Sequence, residues 1–155
     1  MEKKIFYTAA MLLLYCCGPV SLSAQYSGLV KYVGAPDKGT VTVESTGFAK
    51  KKPESDVNAG ATALYTLLFR GLPGSVYDLP MIPDEQAKKD DPVVRALLQG
   101  GYGSFVTADV LERMEATKKK PDGMKGIVTI HTITFNYDAL RRYLEAHSVI
   151  RKFGY

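Results

Sequence analysis

The stretch from Gly39 to Gly74 constrains the fold most, because it predicts a strand followed at once by a helix. Val41 and Val43 lie two residues apart between polar neighbours, which is the spacing of a half-buried strand. Gly47 predicts the end of that strand. Because each element has one apolar side, the stretch predicts a packed unit of sheet and helix.

The helix of this unit is expected over residues 53–70. Pro53 suits a first helical turn, and Glu54 and Asp56 place negative charge near the positive end of the helix dipole. Gly60 inside the helix costs about 1 kcal/mol relative to alanine, so we infer a close approach between the helix backbone and the sheet. Four residues spaced by four, three and four form the expected apolar stripe: Val57, Ala61, Leu64 and Leu68.

Two further strands are predicted over residues 105–111 and 127–135. The second is mostly β-branched or aromatic, with apolar groups on both faces, so we expect it at the centre of the sheet. Its apolar side changes near His131, which indicates a β-bulge there.

The remaining segments predict one long loop and two helices. Residues 75–92 are rich in proline and charge, and a loop of that length is often functional or mobile. Asp91 is the expected N-cap of a short helix over residues 91–99, and Asn136 that of a last helix over residues 137–146.

These elements together predict an α+β fold. We expect a mainly antiparallel sheet that includes residues 40–47, with the two longer helices packed on one face. The length of 155 residues fits a single domain, expected over residues 25–155 after a signal peptide at 1–24.

The signal peptide is predicted from the order of its parts. Lys3 and Lys4 precede an apolar run over residues 5–17, and Leu22-Ser23-Ala24, which ends in two small residues, then provides a cleavage site before Gln25. The apolar run is short for a membrane span, so we expect a mature chain with no transmembrane helix, exported to the periplasm or envelope.

Both cysteines, Cys16 and Cys17, fall within the predicted signal peptide. Cleavage before Gln25 would leave no thiol for disulfides, catalysis or metal binding. The alternative is that Cys17 becomes a lipidated first residue, although Tyr15 and Cys16 precede it where bacterial lipoproteins carry a small residue. Lipidation would tether the same domain to a membrane.

The charge of the chain gives no reason to expect a nucleic-acid partner. The net charge is +4, and loss of Glu2, Lys3 and Lys4 with the signal peptide would lower it by one.

No stretch carries a catalytic or metal signature. His131 and His147 have no partner at ligand spacing, and no Gly-x-Ser-x-Gly turn is present. The carboxylates within residues 84–91 belong to a charged loop, where solvation is the expected state. We therefore assign no catalytic, cofactor-binding or metal-binding residue and expect no cofactor.

The hydrophobic and basic end of the chain predicts an interaction surface. Apolar side chains there are costly to leave in water, so the segment either docks on its own sheet or inserts into a partner. The candidate interaction residues are Ile150, Arg151, Lys152, Phe153, Tyr155 and, at the end of the first helix, Arg70.

Four motifs in order resemble an uncharacterised family of small exported, periplasmic proteins of Gram-negative bacteria. The motifs are Gly39-Thr40-Val41-Thr42-Val43, Leu67-Leu68-Phe69-Arg70-Gly71-Leu72-Pro73-Gly74, Asn136-Tyr137-Asp138-Ala139-Leu140-Arg141 and Val149-Ile150-Arg151-Lys152-Phe153-Gly154-Tyr155. The strand and helix layout also resembles, remotely, modules of envelope lipoproteins and flagellar accessory proteins, through Gly47, Ala59, Ala61 and Ala63. The resemblance brings no catalytic residues and implies a non-enzymatic envelope component.

We therefore expect an exported binding or assembly module of the cell envelope that contacts an unidentified envelope protein. The alternative is a small periplasmic hydrolase or ligand-binding protein built on residues 75–103. An enzyme needs a concave pocket with converging polar groups, whereas a binding module needs an exposed apolar patch or sheet edge.

Overall fold

The computed structural model describes residues 28–117 and 125–152. In these ranges the chain forms an α+β fold with four strands, four α-helices and one 3-10 helix. In chain order the elements are β1 (Val30–Gly34), β2 (Thr40–Ala49), α1 (Lys52–Phe69), α2 (Glu85–Lys88), α3 (Pro92–Leu98), the 3-10 helix (Gly101–Phe105), β3 (Val106–Thr117), β4 (Gly126–Asn136) and α4 (Tyr137–Ala146).

The four strands form one antiparallel sheet in the order β1-β2-β4-β3. β4 lies between β2 and β3, so the prediction of a central strand around 127–135 is confirmed. β1 occupies one edge, in a segment for which the sequence made no assignment. β3 occupies the other edge.

Helix α1 lies across one face of the sheet. Alternate side chains of β2 and β4 point toward it and are buried, as in a sheet with one covered face, and Thr42 on the other face of β2 is buried as well. Toward the end of α1 the contact is apolar and forms the main core, whose fully buried members include Val41, Val43, Leu64, Leu68, Ile133 and Phe135.

The beginning of α1 meets the sheet through small and polar residues instead. Ser45 Oγ donates to the carbonyl of Ala59 at 2.7 Å, and the hydroxyls of Ser55 and Thr129 are 2.9 Å apart. Both contacts are buried, and hydrogen bonding removes the penalty of burying these hydroxyls. The helix and the sheet are therefore held together by packing at one end and by hydrogen bonds at the other.

Gly47 does not end β2, which continues to Ala49. A side chain at Gly47 would collide with the carbonyl of Ser55 and lie 2.7 Å from the backbone nitrogen of Ala59. The glycine permits close approach of α1 to the sheet, so the prediction of a strand end was wrong.

Gly60 has a different neighbour from the one expected. The phenol ring of Tyr102, from the 3-10 helix, fills the space where a side chain would stand. The prediction that the helix backbone approaches the sheet at Gly60 was therefore wrong, because the group that lies against Gly60 is a tyrosine ring. Val57 also departs from the expected stripe, because it is 47% exposed while Ala61, Leu64 and Leu68 are buried.

The predicted helix boundaries are confirmed where capping residues mark them. Asp91 accepts a hydrogen bond from the backbone of Val93 at 2.9 Å, and Asn136 accepts one from Ala139 at 2.9 Å. After α1, Gly71 adopts a φ of +74°, a conformation that glycine reaches without strain, and its N–H bonds to the carbonyl of Thr66 at 2.8 Å.

Strand β3 is longer than predicted, extending past Leu111 to Thr117. The expected bulge at His131 is also misplaced, because β4 alternates without interruption. The irregularities lie in β3, between Val106 and Ala108 and between Leu111 and Arg113, the second of them opposite the His131 region of β4.

Candidate functional site

Strand β3 is an open edge of the sheet. It pairs with β4 on one side, and no residue within 28–117 or 125–152 pairs with it on the other. Residues 107–116 are all exposed, although three of them are large and apolar: Val110 is 52% exposed, Leu111 40% and Met114 53%. An edge strand offers a row of unpaired backbone donors and acceptors, so β3 is a surface for binding another strand.

The bulge in β3 sets which side chains share a face. Directly opposed residues of antiparallel strands point to the same side. Leu111 lies opposite His131 and Met114 lies opposite Thr129, and both of these β4 residues are buried toward α1. Leu111 and Met114 therefore form an apolar row on the α1 side of β3.

A buried histidine links this exposed strand to the body. His131 is 5% exposed and contacts two carboxylates: its Nδ1 is 2.7 Å from Asp109 Oδ1 in β3, and its Nε2 is 3.0 Å from Asp56 Oδ1 in α1. Carboxylates accept hydrogen bonds only, so the geometry is satisfied by the ring that donates from both nitrogens. The ring between the two carboxylates joins β3, β4 and α1.

Asp56 also receives a hydrogen bond from Lys52 Nζ, one helical turn earlier, at 2.6 Å. Partial burial raises the pKa of Asp56, but the hydrogen bonds and charges of Lys52 and His131 outweigh it, and the pKa lies below the ordinary value. Asp56 is therefore held ionised.

The interactions of His131 with Asp56 and Asp109 hold three elements of the fold together. Its carboxylates are already engaged by His131 and Lys52, and within the described ranges no group of three or more histidine, cysteine or acidic residues is placed to hold a metal. Tyr102 lies nearby, and burial together with the charges of Asp109 and Asp56 raises its pKa. Its hydroxyl donates to the carbonyl of Val57 at 3.2 Å, so it too serves to brace α1.

A second feature is a groove of about 850 Å³ between the predicted loop and the end of the chain. Its lining is mostly apolar and includes Val76 and Leu79, which are 84% and 75% exposed, and Val149, which is buried. Arg141 and Arg151 also line the groove. The groove thus combines apolar walls with cationic groups.

Two tyrosine rings lie close together in the groove. The rings of Tyr77 and Tyr137 have centroids 4.3 Å apart, and burial is the main cause of the raised pKa of each. The hydroxyl of Tyr77 donates to the carbonyl of Thr40 at 3.2 Å. The described lining residues include the carboxyl groups of Asp78 and Asp84 and the amine of Lys88, but no histidine, serine or cysteine.

The structure places the predicted interaction residues in different settings. Ile150 packs partly against the core, and Arg151 is exposed at the groove. Lys152 is exposed. Phe153 and Tyr155 lie outside the described residues. Arg70 is not among the groove's lining residues; its guanidinium lies 5.4 Å from the centroid of the Tyr65 ring.

The edge of β3 and the histidine cluster were not predicted as sites. One signal was present: residues 109–115 mix Val110, Leu111 and Met114 with charged residues. This composition matches neither a covered strand nor a polar loop.

In the described part of the chain, no helix combines the length and apolar composition required to cross a bilayer.

Comparison with known proteins assigns no relative. The chain matches no family model, and neither a curated protein nor a solved structure is significantly similar to it.

Proposed function

We propose that this protein is an exported, non-enzymatic binding or assembly module of the bacterial cell envelope, and that it holds a protein partner along β3. One observation carries the proposal: no strand of the described ranges pairs with the outer side of the 12-residue strand β3, which bears exposed Val110, Leu111 and Met114. Natural proteins protect free edges by shortening, covering, bulging or charging them, and the exposed apolar side chains of β3 are left without such cover.

The mode of binding would be addition of a strand to the sheet. Backbone hydrogen bonds along β3 would supply affinity, and alternate side chains would supply specificity. On the α1 side, Leu111 and Met114 offer the apolar contacts for that purpose. The linkage from His131 to Asp109 supports this mode, because it anchors the strand to the body and so reduces the ordering cost of binding.

Export is supported by the basic, apolar and small-residue order of the first 24 residues. The resemblance to small exported envelope proteins supports the same compartment. Intact-mass measurement of the protein recovered from its native envelope tests this part: a chain beginning at Gln25 is expected. A lipid-modified chain beginning at Cys17 would instead indicate membrane anchoring.

The binding function is tested with a variant that places charge on the edge. Val110→Lys combined with Met114→Lys should abolish co-purification of partner protein from the native envelope, because lysine side chains on an edge strand oppose strand addition. Val57→Lys is the matched control, since Val57 is a half-exposed valine on α1. Equal capture by the edge variant and the wild type would refute binding along β3.

A second candidate function is ligand binding in the groove. The observation that favours it is the apolar cavity of about 850 Å³, a volume typical of small-molecule sites. Leu79→Glu would place a charge in the apolar wall and should weaken binding of a fluorescent apolar probe more than tenfold. Undiminished probe binding by that variant would remove the groove from consideration as a ligand site.

A further inference from the structure

We infer that the partner of β3 is a second copy of this chain, whose own β3 pairs with the first in antiparallel fashion about a two-fold axis between Glu112 and Arg113. The inference rests on the proposed function, because it names the occupant of the same strand edge. The two four-stranded sheets would join into one continuous sheet, with α1 of both copies on the same side.

The first argument is the match of faces. In this register Leu111 of one copy lies opposite Met114 of the other, and the reverse pair forms by symmetry. Both residues lie on the α1 side of β3, because they oppose His131 and Thr129. His131 and Thr129 are two positions apart in β4. The backbone N–H and C=O groups of Leu111 and Met114 therefore point the same way, either both toward β4 or both away from it. The exposed apolar row of each copy would be covered by that of the other.

The second argument is the position of the bulge. The register shift between Leu111 and Arg113 changes which residues point toward α1. A two-fold axis next to Glu112 places the bulges of the two strands beside each other. Residues that oppose each other across the dimer then point to the same face of the sheet on both sides of the axis. If the axis moved onto Leu111, Asp109 on the α1 side would oppose Arg113, which points to the other face.

The third argument is charge. The proposed register places Glu112 of each copy opposite Arg113 of the other, which gives two pairs of opposite charge across the axis. Neighbouring pairs join Asp109 to Ala116 and Val110 to Glu115, so no like charges oppose each other. Opposite charges directly across an antiparallel pair stabilise it, and like charges destabilise it. A strand that complements itself in face and charge is best completed by an identical copy.

Charge exchange tests the dimer without altering its apolar contacts. The processed wild type should show twice the mass of one chain by light scattering after size exclusion. Glu112→Arg alone and Arg113→Glu alone should each give the mass of one chain, because each variant opposes like charges twice. An equimolar mixture of the two variants should recover the double mass, since every opposed pair then has opposite signs.

The register is tested by cysteine substitution, which the expected absence of thiols from the mature chain permits. Leu111→Cys mixed with Met114→Cys should form a disulfide between chains under mild oxidation. Each variant alone should form none, because identical positions are about 10 Å apart in this register, which exceeds the reach of a disulfide. A cross-link in either variant alone would overturn the register.

Failure of the inference can be told apart from failure of the proposed function. A monomeric wild type would overturn the second copy as occupant and would show that the bulges and charges of β3 protect a free edge. If β3-dependent capture of another protein persists in that case, the proposed function stands. If neither self-association nor capture depends on β3, both are refuted.

Discussion

Gly47 in β2 lies against the backbone carbonyl of Ser55 in α1, with no space for a side chain between them. Both groups are main chain, so neither can rotate away from a larger neighbour. The contact fixes the distance between helix and sheet at the polar end of their interface. Ser55 holds that end by bonding to Thr129 and to the carbonyl of Ile127.

Gly47→Ala is therefore expected to lower the free energy of unfolding by about 2 kcal/mol or more, as overpacking in a rigid core does. Urea denaturation measures the change. Gly34→Ala is the control, because a side chain there would meet no atom within 4 Å. Equal losses in both variants would contradict the close-approach interpretation.

The two meanings of glycine explain one limit of the sequence prediction. Glycine marks a chain turn, and it also marks a site where another backbone comes close. At Gly71, which follows the helix predicted over residues 53–70, the first meaning holds. At Gly47 the second holds, and only the position of α1 in space distinguishes them.

Gly60 and Tyr102 form a second contact of this kind, but with a side chain that can be removed. Gly60→Ala should destabilise the wild type by about 1 to 3 kcal/mol, because the added methyl collides with the phenol ring. In a Tyr102→Ala background the same change should stabilise by up to about 1 kcal/mol, since alanine is the better helix former. A double-mutant cycle of unfolding free energies measures the coupling. A Gly60→Ala effect that is the same in both backgrounds would disprove the contact.

The strands and caps were predictable where the signal is local. Asn136 as an N-cap and the β-branched run of β4 need only their own neighbours in sequence. The far half of β3 was missed for a physical reason. Because residues 107–116 are exposed on both faces, no alternation between apolar and polar residues is required of them.

The histidine cluster could not be predicted, since its members are distant in sequence. Asp56 and His131 are separated by 75 residues, and Asp109 and His131 by 22. The sequence indicated that His131 was a sheet residue, which is correct. It gave no sign that α1 and β3 would each present a carboxylate to the same ring.

Asp56 should make stability depend on acid pH. Its pKa is lowered in the folded protein by Lys52 and His131, so its contribution is complete above the unfolded value of about 3.9 and is lost as pH falls through the folded value. Asp56→Asn should therefore be less stable than the wild type at neutral pH. The gap, which is the difference in unfolding free energy between the two proteins, should narrow below about pH 4.

Urea unfolding of both proteins at neutral and acid pH measures that gap. Glu54→Gln is the matched control, because Glu54 is an exposed carboxylate in the same turn of α1. A gap for Asp56→Asn that stays constant across the acid range would contradict the predicted ionic linkage.

Tyr65 should make stability depend on alkaline pH. Its hydroxyl donates to the carboxylate of Glu85, and burial together with that hydrogen bond raises its pKa to about 12. A raised folded pKa gives stability that is complete below the unfolded value of about 10 and is lost as pH rises toward 12. The advantage of the wild type over Tyr65→Phe should accordingly shrink across this range. Subtracting the tyrosinate absorbance titration of Tyr65→Phe from that of the wild type isolates the titration of Tyr65. A titration midpoint near pH 10 would show that the hydrogen bond to Glu85 is absent.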